Sequence, residues 1–511
     1  MTAVSDTPFP VPDPIRSTAL AADLDAADLR SEPLRRLWGE EEDDALARGM
    51  REPILRAIAH DDGPLATLGR LLVLGMPQPL TAVATALPTL GVEGLVALGL
   101  ARVDAASVTP TALLRPQSFV DADGFGEWWI ASDLDETALD GALPADHVLG
   151  VGGASRTLAE IVMPVEVDRA LDLGTGCGIQ ALLVARHARS VVATDISTRA
   201  LAFAELNAQL NGVSTIEFRL GSMFEPVAGE TFDLIVSNPP FVITPRAEGV
   251  PEYEYRDGGL VGDALVEQFI ATAPQHLASG GSAQLLGNWE SRGGQRSLTG
   301  RAGLDRVSSW VPGELDLWVV QREELTPLAY AELWIRDGGT TPRDAAFTPL
   351  LRAWLDDFAA RGVTAVGFGY ILIRRPAHAG APLRRLERLP QPVSNVGSAL
   401  RDGLAAHDVL AGGVPPMLLT AADVTEARHL LPGNDDPSII ELRQGGGFAR
   451  TLTVDPALAA FVGACDGDLT VMQIVAALAD LFEVPLADLW ADLEPRIRQL
   501  ILDGLLVAGV R

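Results

Sequence analysis

Between Ala170 and Leu286 short apolar runs alternate with amphipathic segments of helical period, an order that a mostly parallel sheet with helices packed on both faces satisfies. Strands are predicted at Ala170 to Leu173, Ser190 to Thr194, Thr215 to Arg219, Phe232 to Ser237 and Ser282 to Leu286, and helices at Ile179 to Ala188, Thr198 to Asn211 and Asp263 to Leu277. Asn211-Gly212 and Gly280-Gly281 supply stops. Beyond Asn288, Leu315 to Val320, Ala331 to Ile335 and Ala365 to Arg374 read as further strands, with a helix at Phe347 to Ala360.

Two tips of this core carry chemistry. The first strand ends in Asp172-Leu173-Gly174-Thr175-Gly176-Cys177-Gly178, where residues without a Cβ let a ligand approach the backbone. A dinucleotide fingerprint wants GxGxxG, but Ile179 stands at its last glycine, so the pattern is an acid followed by GxGxG. Asp172 can face a cation there. Asp195 ends the second strand, where a carboxylate can accept both ribose hydroxyl hydrogens. A purely structural turn would also use the glycines.

The second tip is Ser237-Asn238-Pro239-Pro240-Phe241. Two prolines hold its backbone rigid, the Asn238 side-chain carbonyl and the Pro239 backbone carbonyl are acceptors for an NH₂ group, and Phe241 offers a face to a planar group. The plain alternative is a strand terminator. Cys177 has no evident His partner, so a small loop filler is the better reading than a nucleophile.

With both tips, the segment from about Ala170 to Glu290, roughly a quarter of the chain, resembles the class I S-adenosylmethionine (SAM)-dependent methyltransferases of the NPPY/NPPF group. That group includes HemK/PrmC-type release-factor glutamine methyltransferases and RsmC- or RlmG-like ribosomal RNA guanine methyltransferases. The resemblance implies an α/β, Rossmann-like class I sheet, SAM as cofactor and N-methylation as the reaction. Asp172, Gly174, Thr175, Gly176, Gly178 and Ile196 would line SAM, Asp195 would bind its ribose, and Asn238, Pro239, Pro240 and Phe241 would hold the acceptor. Ser222 and Met223 occupy the adenine position, and Ser222 departs from the acid that many members carry. Gly293-Gly294-Gln295 matches the tripeptide that release-factor methyltransferases modify, a coincidence in a chain with 50 glycines.

The substrate is less constrained. Arg256-Asp257-Gly258-Gly259-Leu260 looks like the glutamine methyltransferases, whereas Gly287-Asn288 looks like the RNA enzymes. Between Val148 and Glu290 eight Arg face seventeen Asp and Glu, and the whole 511-residue chain carries a formal charge of −29, which disfavours a phosphate-rich partner. A protein or small-molecule amide is therefore the expected acceptor. A nucleic-acid base amine, recognised through Arg374, Arg375, Arg384, Arg385 and Arg388, is the alternative, and a catalytically silent SAM-fold scaffold is another. Every basic residue is Arg, so no chemistry that needs a lysine is available.

The flanks suggest five segments: a flexible acidic arm (1–30), a helical, winged-helix-like N-terminal domain (31–145), the methyltransferase domain (146–376), an Arg-rich connector (377–419) and a small winged-helix-like C-terminal domain (420–511). Gly150 to Ser155 reads as an entry loop or a plain linker. Thr470 should cap a helix whose apolar face includes Ile474, Val475 and Leu478. Leu71 to Val92 is uncharged, but Pro77, Pro79 and Pro88 break it, so a buried helical core is expected rather than a membrane span. Two distant cysteines and no signal-peptide pattern point to the cytoplasm. Oligomeric state is not legible.

Overall fold

A computed structural model of the chain describes residues 8–121, 124–139, 143–144, 146–247, 249–251, 256–293, 302–391 and 393–509. It divides into two compact units, Met1–Ala159 with Glu166–Ala377, and Glu160–Val165 with His378–Arg511.

The first unit is built on the strands β1 (Val167–Leu173), β2 (Ala188–Asp195), β3 (Ile216–Leu220), β4 (Phe232–Ser237), β5 (Leu277–Arg292), β6 (Asp316–Leu325) and β7 (Val363–Arg374). They lie in the order β3-β2-β1-β4-β5-β7-β6. Neighbours from β3 through β5 pair in parallel, and β7 runs antiparallel to both β5 and β6. This is the Rossmann-like class I arrangement that the resemblance implied, on the mostly parallel sheet that the alternating pattern called for. Leu171, Leu234, Ile235 and Leu285 are fully buried at its centre, as a sheet covered on both faces requires.

Helix α1 (Pro14–Ala26) precedes the sheet, α2 (Ile179–Val184) and α3 (Thr198–Leu210) follow β1 and β2, and α4 (Pro327–Asp337) and α5 (Phe347–Ala360) stand between β6 and β7. The expected strand Ala331 to Ile335 is thus part of α4. Strand alternation would place 331, 333 and 335 on one face, yet Ala331 and Ile335 are buried while Leu333 is 49% exposed. Thr326 caps the helix by accepting the Ala329 amide, and Pro327 opens it. The helix expected to reach Ala188 stops at Val184, because Ala188 already belongs to β2.

The acidic arm is also corrected. Asp13 accepts the Arg16 amide and caps α1, Leu20 and Leu24 are fully buried one turn apart, and Asp23 is buried as acceptor for the Thr89 and Leu90 amides. A composition that looks solvated is therefore used to terminate other backbone segments. After three short helices, Ser31–Trp38, Glu40–Ala47 and Glu52–Ala57, come helices Pro64–Leu68, Leu80–Ala86 and Gly91–Ala97 and a three-stranded sheet in which Ser107–Pro110 lies between Gln78–Pro79 and Ala101–Asp104, the element order of a winged helix. Leu80–Ala86 and Gly91–Ala97 meet at 93°, and among the described residues no single helix is long and apolar enough to cross a membrane.

A long hairpin, Ala112–Asp121 with Gly124–Asp133, ties this region to α3. Asn207 accepts the Ala131 amide at 2.7 Å and donates to the Ala131 carbonyl at 2.9 Å, and Asn211, one turn on, does the same for Trp129 at 3.0 and 2.9 Å. The two amides act as a surrogate strand edge. Asn207 also donates to the Cys177 carbonyl at 2.8 Å, so one buried side chain joins hairpin and glycine turn.

The second unit holds the helices Val396–Leu410, Pro456–Gly463, Val471–Leu481 and Leu486–Leu502. Thr470 caps Val471–Leu481 in a reciprocal capping box with Gln473, and Phe461, Val475, Leu493 and Ile497 are fully buried. The C-terminal strand Leu506–Ala508 pairs with Leu418–Thr420. Residues 384–388 form a strand and residues 396–410 a helix within the stretch that the sequence suggested as an Arg-rich connector. Arg385 pairs with Asp503 and Glu387, and Arg450 reaches the same two carboxylates at 3.1 and 2.6 Å. In the first unit Arg374 pairs with Asp316 at 2.7 Å, and Arg375 donates to the Leu277 and Pro274 carbonyls at 3.1 and 2.7 Å. These arginines serve the protein's own carboxylates and carbonyls.

Candidate active site

The connections β1 to β2 to β3 run one way across the sheet and the return to β4 runs the other, so a crevice opens beyond the carboxyl ends of β1 and β4. Leu173 and Ser237 are register partners there, and the Ser237 hydroxyl donates to the Leu173 carbonyl at 2.7 Å. Gly174 and Asn238 are the next residues on each strand. On the other side of β1, the Thr194 carbonyl accepts the Gly174 and Thr175 amides at 2.9 Å, and the Asp195 carbonyl accepts the Gly221 amide at 3.0 Å. Asn238, Gly174, Asp195 and Gly221 therefore stand in a row on four consecutive strand ends, about 14 Å long at the usual strand spacing.

Gly178 opens α2 with φ at +87°, and a Cβ there would lie 2.9 Å from the Ala204 Cβ and 3.0 Å from its Cα on α3. At Gly174 and Gly176 a Cβ would meet nothing within 4 Å, so both face open space suited to a ligand. Asp195 braces the turn from outside: Oδ2 accepts the Gly176 amide and Oδ1 the Ser197 amide, each at 2.9 Å. Burial raises the Asp195 pKa against these two bonds. Ile196 beside it is 60% exposed. Met223 takes a left-handed φ of +48°, Ser222 is exposed, and Phe224 anchors that turn by stacking on His276 with ring centroids 4.7 Å apart.

Asp172 is buried beneath the turn. Its Oδ2 accepts the Thr175 hydroxyl at 2.6 Å, its Oδ1 has no hydrogen-bond partner, and burial pushes its pKa up to about 7. An orphaned carboxylate oxygen under an open glycine cradle fits the cationic methionine end of SAM. The residues present thus suit that cofactor. In the chain alone the protonated carboxyl is the favoured form below about pH 7, so its contribution to stability is present in full below the ordinary carboxylate range and is lost as pH rises through about 7. Asp172→Asn is accordingly expected to melt roughly 4 °C or more above the wild type near pH 8, with the gap closing toward about pH 4. Calorimetric scans without SAM across that range check this, and a gap independent of pH would refute it.

On the acceptor side, the Asn238 Oδ1 is buried and has no hydrogen-bond partner. Pro239 is buried behind it, and the Phe241 ring lies 5.5 Å from that of Phe368 on β7. The segment after Phe241 folds back on residues 256–257. Phe241 bridges to Asp257, the Val242 amide donates to the Arg256 carbonyl at 3.0 Å, and Arg246 Nη1 reaches Asp257 Oδ2 at 3.0 Å. The Tyr330 hydroxyl accepts the Ile243 amide at 3.0 Å and the Asn288 side-chain amide at 2.5 Å. Sequence reasoning quoted Asn288 but missed Tyr330 and Phe368, which are apolar-face residues of elements read only for their period.

Burial pushes the Cys177 thiol up to about 11, consistent with a filler. The entry segment contains the helix Gly153–Ile161, and Gln180 at the start of α2 donates to the Ser155 carbonyl at 2.6 Å. Gly294 and Gln295 of the Gly-Gly-Gln tripeptide lie outside the described residues.

Residues 150–298 match the family described as methyltransferase small domain, and residues 26–111 match a domain of unknown function, DUF7059. A release factor glutamine methyltransferase of Xylella fastidiosa is 39% identical over 150 residues, which are 28% of this chain and 54% of that protein. A ribosomal protein uL3 glutamine methyltransferase of Bradyrhizobium diazoefficiens is 34% identical over 140 residues, 25% of this chain and 44% of that protein. A Methanocaldococcus jannaschii protein named for protein N5-glutamine methylation is 34% identical over 146 residues, 28% of this chain and 69% of that protein. The chain spans about half the length of the release factor methyltransferases it matches.

Proposed function

The chain belongs to the HemK/PrmC-like class I methyltransferases, and from that premise we propose that it methylates a planar amide nitrogen, a protein glutamine side chain being the acceptor best suited to the site. The observation that carries this reading is the buried, unpartnered Asn238 carbonyl one residue beyond the register pair that joins it to the glycine turn. When bound, SAM supplies a methyl carbon activated by its sulfonium. Asp172 and the Gly174–Gly178 turn orient that cation, and Asp195 holds the turn by its backbone. An amide nitrogen is a poor nucleophile because its lone pair is delocalised. The Asn238 and Pro239 carbonyls, accepting the two NH₂ hydrogens, would turn that lone pair toward the methyl, with Phe241 against the amide plane. Catalysis on this reading is positioning, and no residue is required to hold the departing proton before transfer begins.

Relatives named for release factor and for uL3 glutamine methylation support a protein acceptor. The excess of acids in this segment supports it too. So does the engagement of Arg374, Arg375 and Arg385 within the protein, which leaves the nucleic-acid reading with little footing. Incubation of the full chain with tritiated SAM and lysate fractions tests the proposal. Label should survive nuclease, disappear with protease and be recovered as methylamine after acid hydrolysis. Nuclease-sensitive label would overturn it in favour of a base amine.

A further inference from the structure

The acceptor side of the crevice is walled by residues beyond the methyltransferase match, which ends at residue 298. Antiparallel neighbours such as β6 and β7 can be joined by a two-residue turn. Here the chain instead leaves the sheet after Leu325, builds α4 and α5, and returns at Val363. The detour buries an apolar cluster in which Tyr330, Ile335, Trp354 and Phe358 close over Val242 and Ile243, the residues that follow the Asn238–Phe241 tip.

One polar point sits inside that cluster. The Tyr330 hydroxyl, on a residue 3% exposed, accepts from the Ile243 backbone amide and from Asn288 on β5. Burial holds it well above the ordinary tyrosine range, so it stays neutral at working pH. Phe241, two residues before Ile243, packs against Phe368 on β7. The chain leaving the tip is therefore held at Phe241 by a ring contact and the bridge to Asp257, at Val242 by the Arg256 carbonyl and at Ile243 by Tyr330, and of the hydrogen-bonding groups only the Tyr330 hydroxyl comes from the α4–α5 segment.

We propose that Tyr330 is a positioning residue for methyl transfer: by fixing Ile243 and Asn288 it sets the angle at which the Asn238–Phe241 tip offers its acceptor, and the α4–α5 segment thereby gauges that acceptor. The proposal rests on the reading of that tip as the acceptor grip.

The test uses the full chain in three forms: wild type, Tyr330→Phe, and Phe358→Leu. The last variant thins the same apolar cluster but touches neither hydrogen bond. Backbone amide exchange is read at 241–243 and at 172–178. Transfer from tritiated SAM is measured on the protein fraction that the wild type labels, at temperatures where every variant is folded. Tyr330→Phe should speed exchange at 241–243 roughly tenfold while 172–178 is unchanged. It should also lower kcat roughly tenfold with the KM for SAM within about twofold. Phe358→Leu should leave kcat within about twofold. Unchanged exchange at 241–243, or an equal fall in kcat in Phe358→Leu, overturns the positioning role. A wild type that labels no protein counts against the glutamine reading instead, and the exchange measurement still decides whether Tyr330 clamps the tip.

Discussion

Asn238→Ala is expected to slow methyl transfer roughly 10²- to 10³-fold while SAM affinity stays within about twofold. The asymmetry follows from where the side chain sits. Its Oδ1 is buried without a protein partner, so its removal breaks no internal hydrogen bond of that atom. An orphaned buried acceptor costs about 1–3 kcal/mol, and the variant should be as stable as the wild type or slightly more so. On the proposed reading the variant lacks one of the two acceptors that would orient the amide, and with a single acceptor the lone pair would no longer be aimed. The Asp172 and Asp195 hydrogen bonds lie on other strands and are untouched. Single-turnover transfer, SAM titration calorimetry and thermal unfolding of the same preparation separate the three effects. Transfer within about threefold of the wild type would remove Asn238 from the mechanism, and with it the main support for N-methylation.

Asp195→Ala should act at the other end of the row, weakening SAM binding roughly 100-fold or more, a loss of about 2.7 kcal/mol. Each carboxylate oxygen already accepts one backbone amide, from Gly176 and from Ser197, and each keeps further acceptor capacity for a ribose hydroxyl. Alanine removes the group that shapes the glycine turn and, on the proposed reading, would also remove the paired acceptors of the ribose. Asp195→Asn keeps one oxygen but turns an NH₂ toward a backbone donor or a hydroxyl, so it should fall between wild type and Ala. Titration calorimetry with SAM decides this, and an Ala variant that binds within about threefold of the wild type would move the nucleoside away from β2. Read together, the two variants should dissociate: one loses turnover and keeps the cofactor, the other loses the cofactor first.

Much of the sheet was legible because its signals are local. A run such as Phe232 to Ser237 shows its burial by composition and its end by Asn-Pro-Pro, and β4 has those bounds. The capping box at Thr470 is equally local. Where local patterns were ambiguous the reading failed. Ala331 to Ile335 looked like a strand because five residues are too few to separate a period of two from one of 3.6, and the cap at Thr326 lies outside that window. The arm at 1–30 looked solvated because composition does not reveal that its stretch 14–26 is a helix whose Asp23 ends up accepting the Thr89 and Leu90 amides.

The amino-acid sequence by itself determined which strand ends carry the glycine turn, Asp195 and the Asn238–Phe241 tip, since glycine, proline and a terminal carboxylate act on the backbone within a few residues. Only the tertiary structure decided who meets whom. Tyr330 with Ile243 and Asn288, Asn207 with Ala131 and Cys177, and Arg374 with Asp316 join groups that are distant along the chain. Arg374 and Arg385 read as part of a basic patch until the fold brought Asp316 against the one and Asp503 against the other. The reason is that a buried polar group must find a partner in space, and strand order and helix packing, rather than neighbouring residues, settle which partner is near.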